Sequence, residues 1–434
     1  MGLAQFFVYS IVRLVFVKLR GLYWRLTGLS STFEEINAGN NYKKSAQVGK
    51  IIWRGKFMDF NVAQEADFLY THEKFDDPRC VHDDNITLYG ITDNKEALFV
   101  ETPPDINVYS SDVNPFFYIA QYKHAVRLIK MPFDSFTKLA DEIGDPKMKV
   151  ILISSTGRCG STILSQVFEA TPGLITIAEP DSMTKLTVMR LDMDKSVWSQ
   201  MAKNVIRLQC KPRSDDVTSY CIKTRSVCTR DVDYIAEAFP DIYQLYLYRD
   251  NLKTIMSMFN AFATTTFFRM FYACQTNIIL RNCAPKKMRT MLVDMFAPDK
   301  HLKWAKEKSF VQNMSMHSVM TLGWAGMMLE YMDLNKNGVK IAAIRYEDML
   351  NNPSKAVKAI FKYCNISEDF VAKGVEAMAK DSQRGTDIQK DKVTKKEMTD
   401  DMKIEPNKIL ARVGLPKLDE PCIVPGLITG DTQS

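Results

Sequence analysis

The chain has 434 residues, 46% of them hydrophobic and 25% charged, the balance of a globular protein with room for one large domain or two ordinary ones. Its net charge of +6 is too small to argue for a nucleic-acid partner, although it suits an anionic ligand. Nine cysteines without a C-x₂-C pair argue against a zinc site, and the odd number leaves at least one thiol free.

In chain order, residues 1–29 come first and are apolar and basic. Leu3 to Leu19 is interrupted only by Gln5, Tyr9, Ser10, Arg13 and Lys18. About seventeen residues is short for a bilayer span, and Arg13 sits in the middle. The segment reads as a membrane-associating helix, with a buried helix of the fold as the alternative. Arg13, Lys18, Arg20 and Arg25 lie within or after the apolar run and no cation precedes it. The positive-inside rule would therefore keep the rest of the chain cytoplasmic. Residues 30–147 form an accessory region. There, Asn85 to Val100 reads as two strands around an Asp-Asn-Lys turn, ended by Pro103 and Pro104.

The stretch from Lys149 to Gln166 is the most informative. Val150 to Ile153 is a continuous apolar run, the pattern of a strand buried on both faces. Two serines and a threonine follow, then Gly157 and Gly160, then Ile163, Leu164, Val167 and Phe168 at helical spacing. A strand, a glycine turn and a helix in that order aim several N–H groups and a helix dipole at one point, where an anion such as phosphate is expected. A nucleotide-hydrolysing loop would read G-x-x-x-x-G-K-[ST], but this loop holds no Gly-Lys pair. A cysteine phosphatase loop from Cys159 would need an arginine where Ser165 stands. The cation here is Arg158, inside the turn, while Ser161 and Thr162 suit a phosphate without serving Mg²⁺.

Further strand-like runs fall at 173–178, 219–224, 242–248 and 339–345. They alternate with helix-like segments, as in a parallel sheet covered on both faces. The run 242–248 leads into Arg249, with Ser257 eight residues later. A guanidinium fork matches a phosphate dianion, and a hydroxyl adds a neutral donor. Met256 to Tyr272 and Gly323 to Met332 are rich in aromatics and methionine. They read mainly as helix core, and the sharper reading is an acceptor pocket. Arg345, Tyr346, Glu347 and Asp348 stand at a strand-to-helix corner, which gives them a structural role. The tail, 391–434, is charged and then proline-punctuated, and is expected to drape over the surface.

Together these motifs resemble those of sulfotransferases. Gly157 to Thr162 is similar to the family's 5′-phosphosulfate loop, and Arg249 with Ser257 has the spacing of its 3′-phosphate pair. Arg345 to Asp348 resembles its R-Y-E-D element. Gln383 to Thr386 resembles the R-K-G loop that closes over the 3′-phosphate, without the middle lysine. The resemblance covers Lys149 to about Arg384. It implies an α/β, P-loop-like parallel sheet flanked by helices, spanning 148–390, after an N-terminal accessory β-containing lobe. It also implies 3′-phosphoadenosine 5′-phosphosulfate (PAPS) as donor, no metal, and a small-molecule, carbohydrate or protein acceptor with a hydroxyl or amine. Arg158, Cys159, Gly160, Ser161 and Thr162 would hold the donor's 5′ end, and Arg249, Ser257 and Arg384 its 3′-phosphate. Arg158 would also stabilise charge on the leaving phosphate. The rival readings are a P-loop nucleotide kinase or hydrolase and a non-catalytic nucleotide-binding protein.

Cytosolic members of the family carry I-K-T-H, whose histidine takes the acceptor's proton. Here Ile222 to Arg225 reads I-K-T-R, and arginine is no base near neutral pH. Protein-tyrosine members use a glutamate at the end of the strand after the phosphate loop. The same count of twenty-one residues from Arg158 lands on Glu179. An acid at a strand's carboxyl end faces the ligand crevice of an open α/β sheet. Glu179 is therefore the expected catalytic base, with a loop cap or salt bridge as the structural alternative. Lys223 and Arg225 become electrostatic helpers. The family also implies a Golgi anchor, against the charge pattern that favours a cytoplasmic chain. Three N-x-[ST] sequons, at Asn85, Asn313 and Asn365, suit a lumen.

Overall fold

The computed structural model describes residues 2–94, 96–262, 265–283, 293–294, 299–381 and 397–429. Helices α1 (Leu3–Leu26) and α2 (Leu29–Asn37) lead into strands β1 (Ala46–Arg54) and β2 (Phe68–Asp76). The hairpin β3 (Ile86–Ile91) and β4 (Glu96–Glu101) follows, then α3 (Phe117–His124), β5 (Arg127–Pro132) and α4 (Phe133–Ile143). From there strands and helices alternate: β6 (Lys149–Ser155), α5 (Ser161–Glu169), β7 (Leu174–Ala178), α6 (Asp181–Met189) and α7 (Lys195–Gln209). The series ends with β8 (Ser219–Lys223), α8 (Val232–Ala238), β9 (Tyr243–Tyr248), α9 (Asn251–Phe262), the helix Met316–Lys336 and β10 (Ile341–Arg345). The chain forms two compact units, one of Met1–Val150, Pro172–Thr224 and Glu237–Ile242, the other of Ile151–Thr171, Arg225–Ala236 and Tyr243–Ser434.

The β-containing region expected before residue 148 is a five-stranded antiparallel sheet in the order β2–β1–β5–β4–β3. Its core gathers Phe68, Tyr70, Tyr89, Leu98, Val100 and Leu128. The hairpin read from Asn85 to Val100 is β3–β4, closed by the Thr92 N–H on the Glu96 carbonyl at 2.9 Å. Against this sheet α1 lays one face. Tyr9, 1% exposed, donates its hydroxyl to the Ala66 carbonyl at 2.8 Å. A Cβ on residue 55 would lie 2.2 Å from the Tyr9 ring, so glycine is what lets the ring seat. Arg20 also points inward, donating to the Tyr70 carbonyl at 3.1 Å. Residues 3–19 thus form part of a docked helix. Among the described residues no helix is long and apolar enough to cross a membrane.

Five parallel strands run in the order β10–β9–β6–β8–β7, flanked by helices. This is the α/β arrangement that the apolar runs imply. Val150, Ile151, Leu152 and Ile153 are each at most 5% exposed, as a strand covered on both faces requires. The last run begins two residues late, at Ile341 instead of 339. Its first residues are spent ending the preceding helix, where Gly338 turns left-handed and the Val339 N–H bonds the Leu334 carbonyl at 3.0 Å. The aromatic and methionine-rich region is largely core, with Met258, Phe271, Trp324, Met327 and Met328 all buried.

The C-terminal tail does not drape over the surface. It contains a helix, Asp400–Arg412, and buries Ile409, Leu410, Leu415, Leu418 and Val424. The Tyr248 hydroxyl bonds the Cys422 carbonyl at 3.0 Å, and the Asn251 amide bonds the Pro416 and Lys417 carbonyls at 3.0 and 2.8 Å. Of its prolines, Pro406 is buried and Pro416 half-buried, whereas Pro421 and Pro425 are exposed.

One buried charge cluster ties the antiparallel sheet to α6. Lys56 Nζ lies 3.6 Å from Asp67 and 3.5 Å from Asp181, with its side chain 1% exposed. Asp67 also accepts from the Tyr89 hydroxyl at 2.6 Å and the Gln64 N–H at 3.0 Å. Burial pushes the Asp67 carboxyl above the usual carboxylate range, and the Lys56 ammonium opposes that shift. Lys56→Met would leave two buried carboxylates without their cation. It should destabilise the first unit by about 3–5 kcal/mol, seen as a large drop in the urea midpoint. An unchanged midpoint would show that the cluster is solvated.

Candidate active site

After β6 the chain turns through three left-handed residues, Gly157 (φ 75°), Arg158 (φ 52°) and Gly160 (φ 84°). Glycine adopts this conformation freely, whereas arginine does so at a cost of about 1 kcal/mol. Such turns point successive N–H groups to one side and make an anion-binding concavity. Gly160 precedes α5, whose first turn carries the N–H groups of Ser161 and Thr162. Cys159 faces the other way. Its buried thiol donates to the Leu247 carbonyl at 3.2 Å, so it offers a ligand its N–H and not its sulfur.

The second motif meets the first. Arg158 Nε donates to Ser257 Oγ at 3.2 Å, joining residues 99 apart in sequence. Arg249 follows β9, and its carbonyl accepts from the Trp324 indole N–H at 2.9 Å and the Thr254 hydroxyl at 3.2 Å. Its guanidinium carbon lies 4.8 Å from the centre of the Tyr346 ring. Its Nε is 3.9 Å from Glu347, buried, and without a hydrogen-bond partner among the described residues. A phosphate oxygen would satisfy that donor.

Tyr346 is the residue that spacing arguments miss. A Cβ on Gly160 would sit 2.3 Å from its ring, so ring and loop are in close contact. The same ring lies under Arg249. The only signal in the sequence was its place beside Arg345 in the corner motif. Arg345 donates to Asp250 at 3.1 and 2.6 Å and to Asp348 at 3.4 Å, and the Asp250 N–H bonds Glu347 at 3.4 Å. These acids pin the corner and thereby fix the ring. Arg225 opens the helical turn Ser226–Asp231, and Ser226 Oγ would lie 3.5 Å from a Cβ on Gly157. The residue next to Arg225 therefore lies against the glycine turn that follows β6.

In the first unit, Glu179 follows β7 with φ 59°. Its N–H donates to the Lys223 carbonyl at 2.6 Å, continuing the β7–β8 ladder. Its carboxylate pairs with Lys223 Nζ and stays 17% exposed, while Lys223 is buried. The Lys223 ammonium lies 5.4 Å from the centre of the Phe116 ring. The salt bridge expected as the structural alternative is thus present. It occurs in a left-handed non-glycine residue, a strain that clusters at functional sites. Arg384 lies outside the described residues.

The family model for the sulfotransferase domain matches residues 148–409. No curated protein matches the chain. Among solved structures, a sulfotransferase from Alicyclobacillus acidocaldarius aligns at 12% identity and TM-score 0.33, over 61% of this chain and 92% of that one. Sulfotransferase STF9 from Mycobacterium avium aligns at 10% identity and TM-score 0.36, over 66% of this chain and 82% of that one. Sulfotransferase STF1 from Mycobacterium tuberculosis aligns at 11% identity and TM-score 0.35, over 58% and 76%.

Gly160→Ala tests the contact between loop and ring. The new methyl must displace Tyr346 and occupy a strained backbone. Binding of inorganic phosphate, followed by calorimetry, should weaken by about tenfold, the worth of one charge-assisted contact. Unchanged affinity would separate the ring from the anion site.

Proposed function

We propose that this chain, which belongs to the sulfotransferase family, moves a sulfuryl group from PAPS to a hydroxyl or amine of its acceptor. One observation carries the reading. Arg158 touches Ser257, and Tyr346 lies against both Gly160 and Arg249. Donors suited to two separate phosphate groups therefore form one cluster, with one arginine for each. A nucleotide kinase would need the Gly-Lys pair that this loop lacks.

The donor supplies the activated sulfur–oxygen bond. Arg158 and the N–H groups of Cys159, Gly160, Ser161 and Thr162 hold its 5′ end. Because they are fixed before reaction, they stabilise the charge that grows on the leaving phosphate without reorganising. Arg249 and Ser257 hold the 3′-phosphate, with Arg384 as a third group. Glu179 takes the acceptor's proton on its carboxylate, and Lys223 and Arg225 add positive charge. No metal enters the reading. The acceptor is a small molecule, a carbohydrate or a protein, and not a nucleic acid. The enzyme works at a membrane surface reached through residues 3–19. Glycosidase sensitivity would place it in the Golgi lumen, and resistance on the cytoplasmic side.

Two measurements test the chemistry. 3′-Phosphoadenosine 5′-phosphate should raise the melting temperature while ATP does so much less, and Arg249→Ala should erase that preference. Equal stabilisation of the wild type by both nucleotides would overturn the donor assignment. Glu179→Gln keeps the side chain's shape and removes its basicity. It should lower turnover at least about a hundredfold, the smaller end for loss of a general base, with nucleotide affinity nearly unchanged. Near-normal turnover would put the base elsewhere.

A further inference from the structure

α1 is amphipathic in an unusual sense, because Arg13, Arg20 and Ser10 turn toward the protein while most of its aliphatic side chains face outward. On the inner face, Arg20 bonds the Tyr70 carbonyl, pairs with Glu65 at 3.7 Å and lies over the Tyr70 and Trp24 rings at 4.2 and 4.7 Å. Arg13 stands beside the Tyr9 hydroxyl, and its Nε is buried. Ser10 bonds back to the Phe6 carbonyl at 2.8 Å. Phe6 packs on Phe57 at 5.1 Å and Trp24 on Phe33 at 4.7 Å, so the inner face is seated from its first turn to its last.

The outer face is the reverse. Phe7, Ile11, Leu14, Leu19, Leu22 and Leu26 are each more than half exposed. They run along the helix from position 7 to position 26, a stripe about 30 Å long. The charges interleaved with them on the exposed side are Lys18 and Arg25, and no acidic residue occurs before Glu34. Trp53, 39% exposed, extends the surface where it meets Tyr9 at 5.3 Å.

We propose that α1 lies in the plane of a membrane with this face sunk into the headgroup and acyl boundary of an anionic leaflet, while its inner face stays docked on the antiparallel sheet. Three features select lipid as the occupant. The apolar stripe is long, its interleaved charges are only basic, and the exposed Tyr23 on the helix and Trp53 beside it supply the aromatic rings that interfacial helices use. A second copy of the chain fits less well, since pairing two such faces would bring Lys18 and Arg25 toward their own kind with no acid to meet them. A spanning pose would strip Tyr9 and Arg20 of their partners and leave arginines in hydrocarbon. The inference rests on the membrane-surface part of the proposed function and is independent of sulfuryl transfer.

The test uses the full chain with vesicles of phosphatidylcholine alone or mixed with phosphatidylserine. The wild type should sediment with the mixed vesicles, less with the neutral ones, and less at high salt. The pair Ile11→Glu and Leu19→Glu touches only the outer face. It should lower the bound fraction by at least about tenfold, because acids are excluded from that boundary, and leave the melting temperature unchanged. An N-terminal epitope should remain open to protease added outside the vesicles. Binding that survives the two substitutions would assign contact to another surface. A protected epitope would mean that the segment spans, overturning the in-plane pose but not the membrane reading. Absence of all vesicle binding would overturn both, and a dimer dissociated by the same substitutions would give the face to a second copy.

Discussion

The proposed anion site depends on one aromatic ring. Tyr346 touches the Cα side of Gly160 and underlies Arg249, and it is fixed by acids that grip Arg345 and the backbone of Asp250. Two guanidinium groups repel each other, and each is costly to desolvate. A flat, electron-rich face offers Arg249 a partner without consuming its hydrogen-bonding capacity. The donors are therefore left for a ligand. Glu347, 3.9 Å from the Arg249 Nε, adds a longer-range charge partner.

The parallel sheet was legible because strands buried on both faces have little choice of composition. Val150 to Ile153 has the composition of such a strand, and the glycines after it mark where the backbone leaves the right-handed region. The strand end at Arg249 and the helix that carries Ser257 were legible because an apolar run passes into helical spacing there. What stayed hidden depends on long-range contacts. The Tyr346 ring reaches Gly160 across nearly two hundred positions, about which local pattern carries no information. Lys56 looks like any surface lysine until Asp67 and Asp181 close around it. The packing of the tail is hidden because prolines accompany solvated segments as well as packed ones, and this one packs where its carbonyls find donors such as Asn251.

The N-terminal segment shows the limit of hydropathy most clearly. A window over Leu3 to Leu19 counts apolar residues without asking which side they occupy. Arg13 weighed against a span in that count. In the fold it is one of the inward residues, and the other side of the helix is left largely apolar, broken by the cations Lys18 and Arg25. Similarly, Arg158 and Glu179 were selected by motif, but the left-handed backbone that both adopt follows from no propensity rule. Each is held there by neighbours, Arg158 by Ser257 and Glu179 by the ladder to Lys223.

The seat of α1 separates two kinds of mutational freedom. Position 55 accepts one amino acid, because anything larger than hydrogen would strike the Tyr9 ring at 2.2 Å. The outward positions of the helix are largely exposed. Attachment is thus encoded in the interior and surface chemistry on the outside, on different residues of the same few turns. Drift can rewrite where such a protein resides, one exposed codon at a time, without a compensating change in the domain that folds behind it.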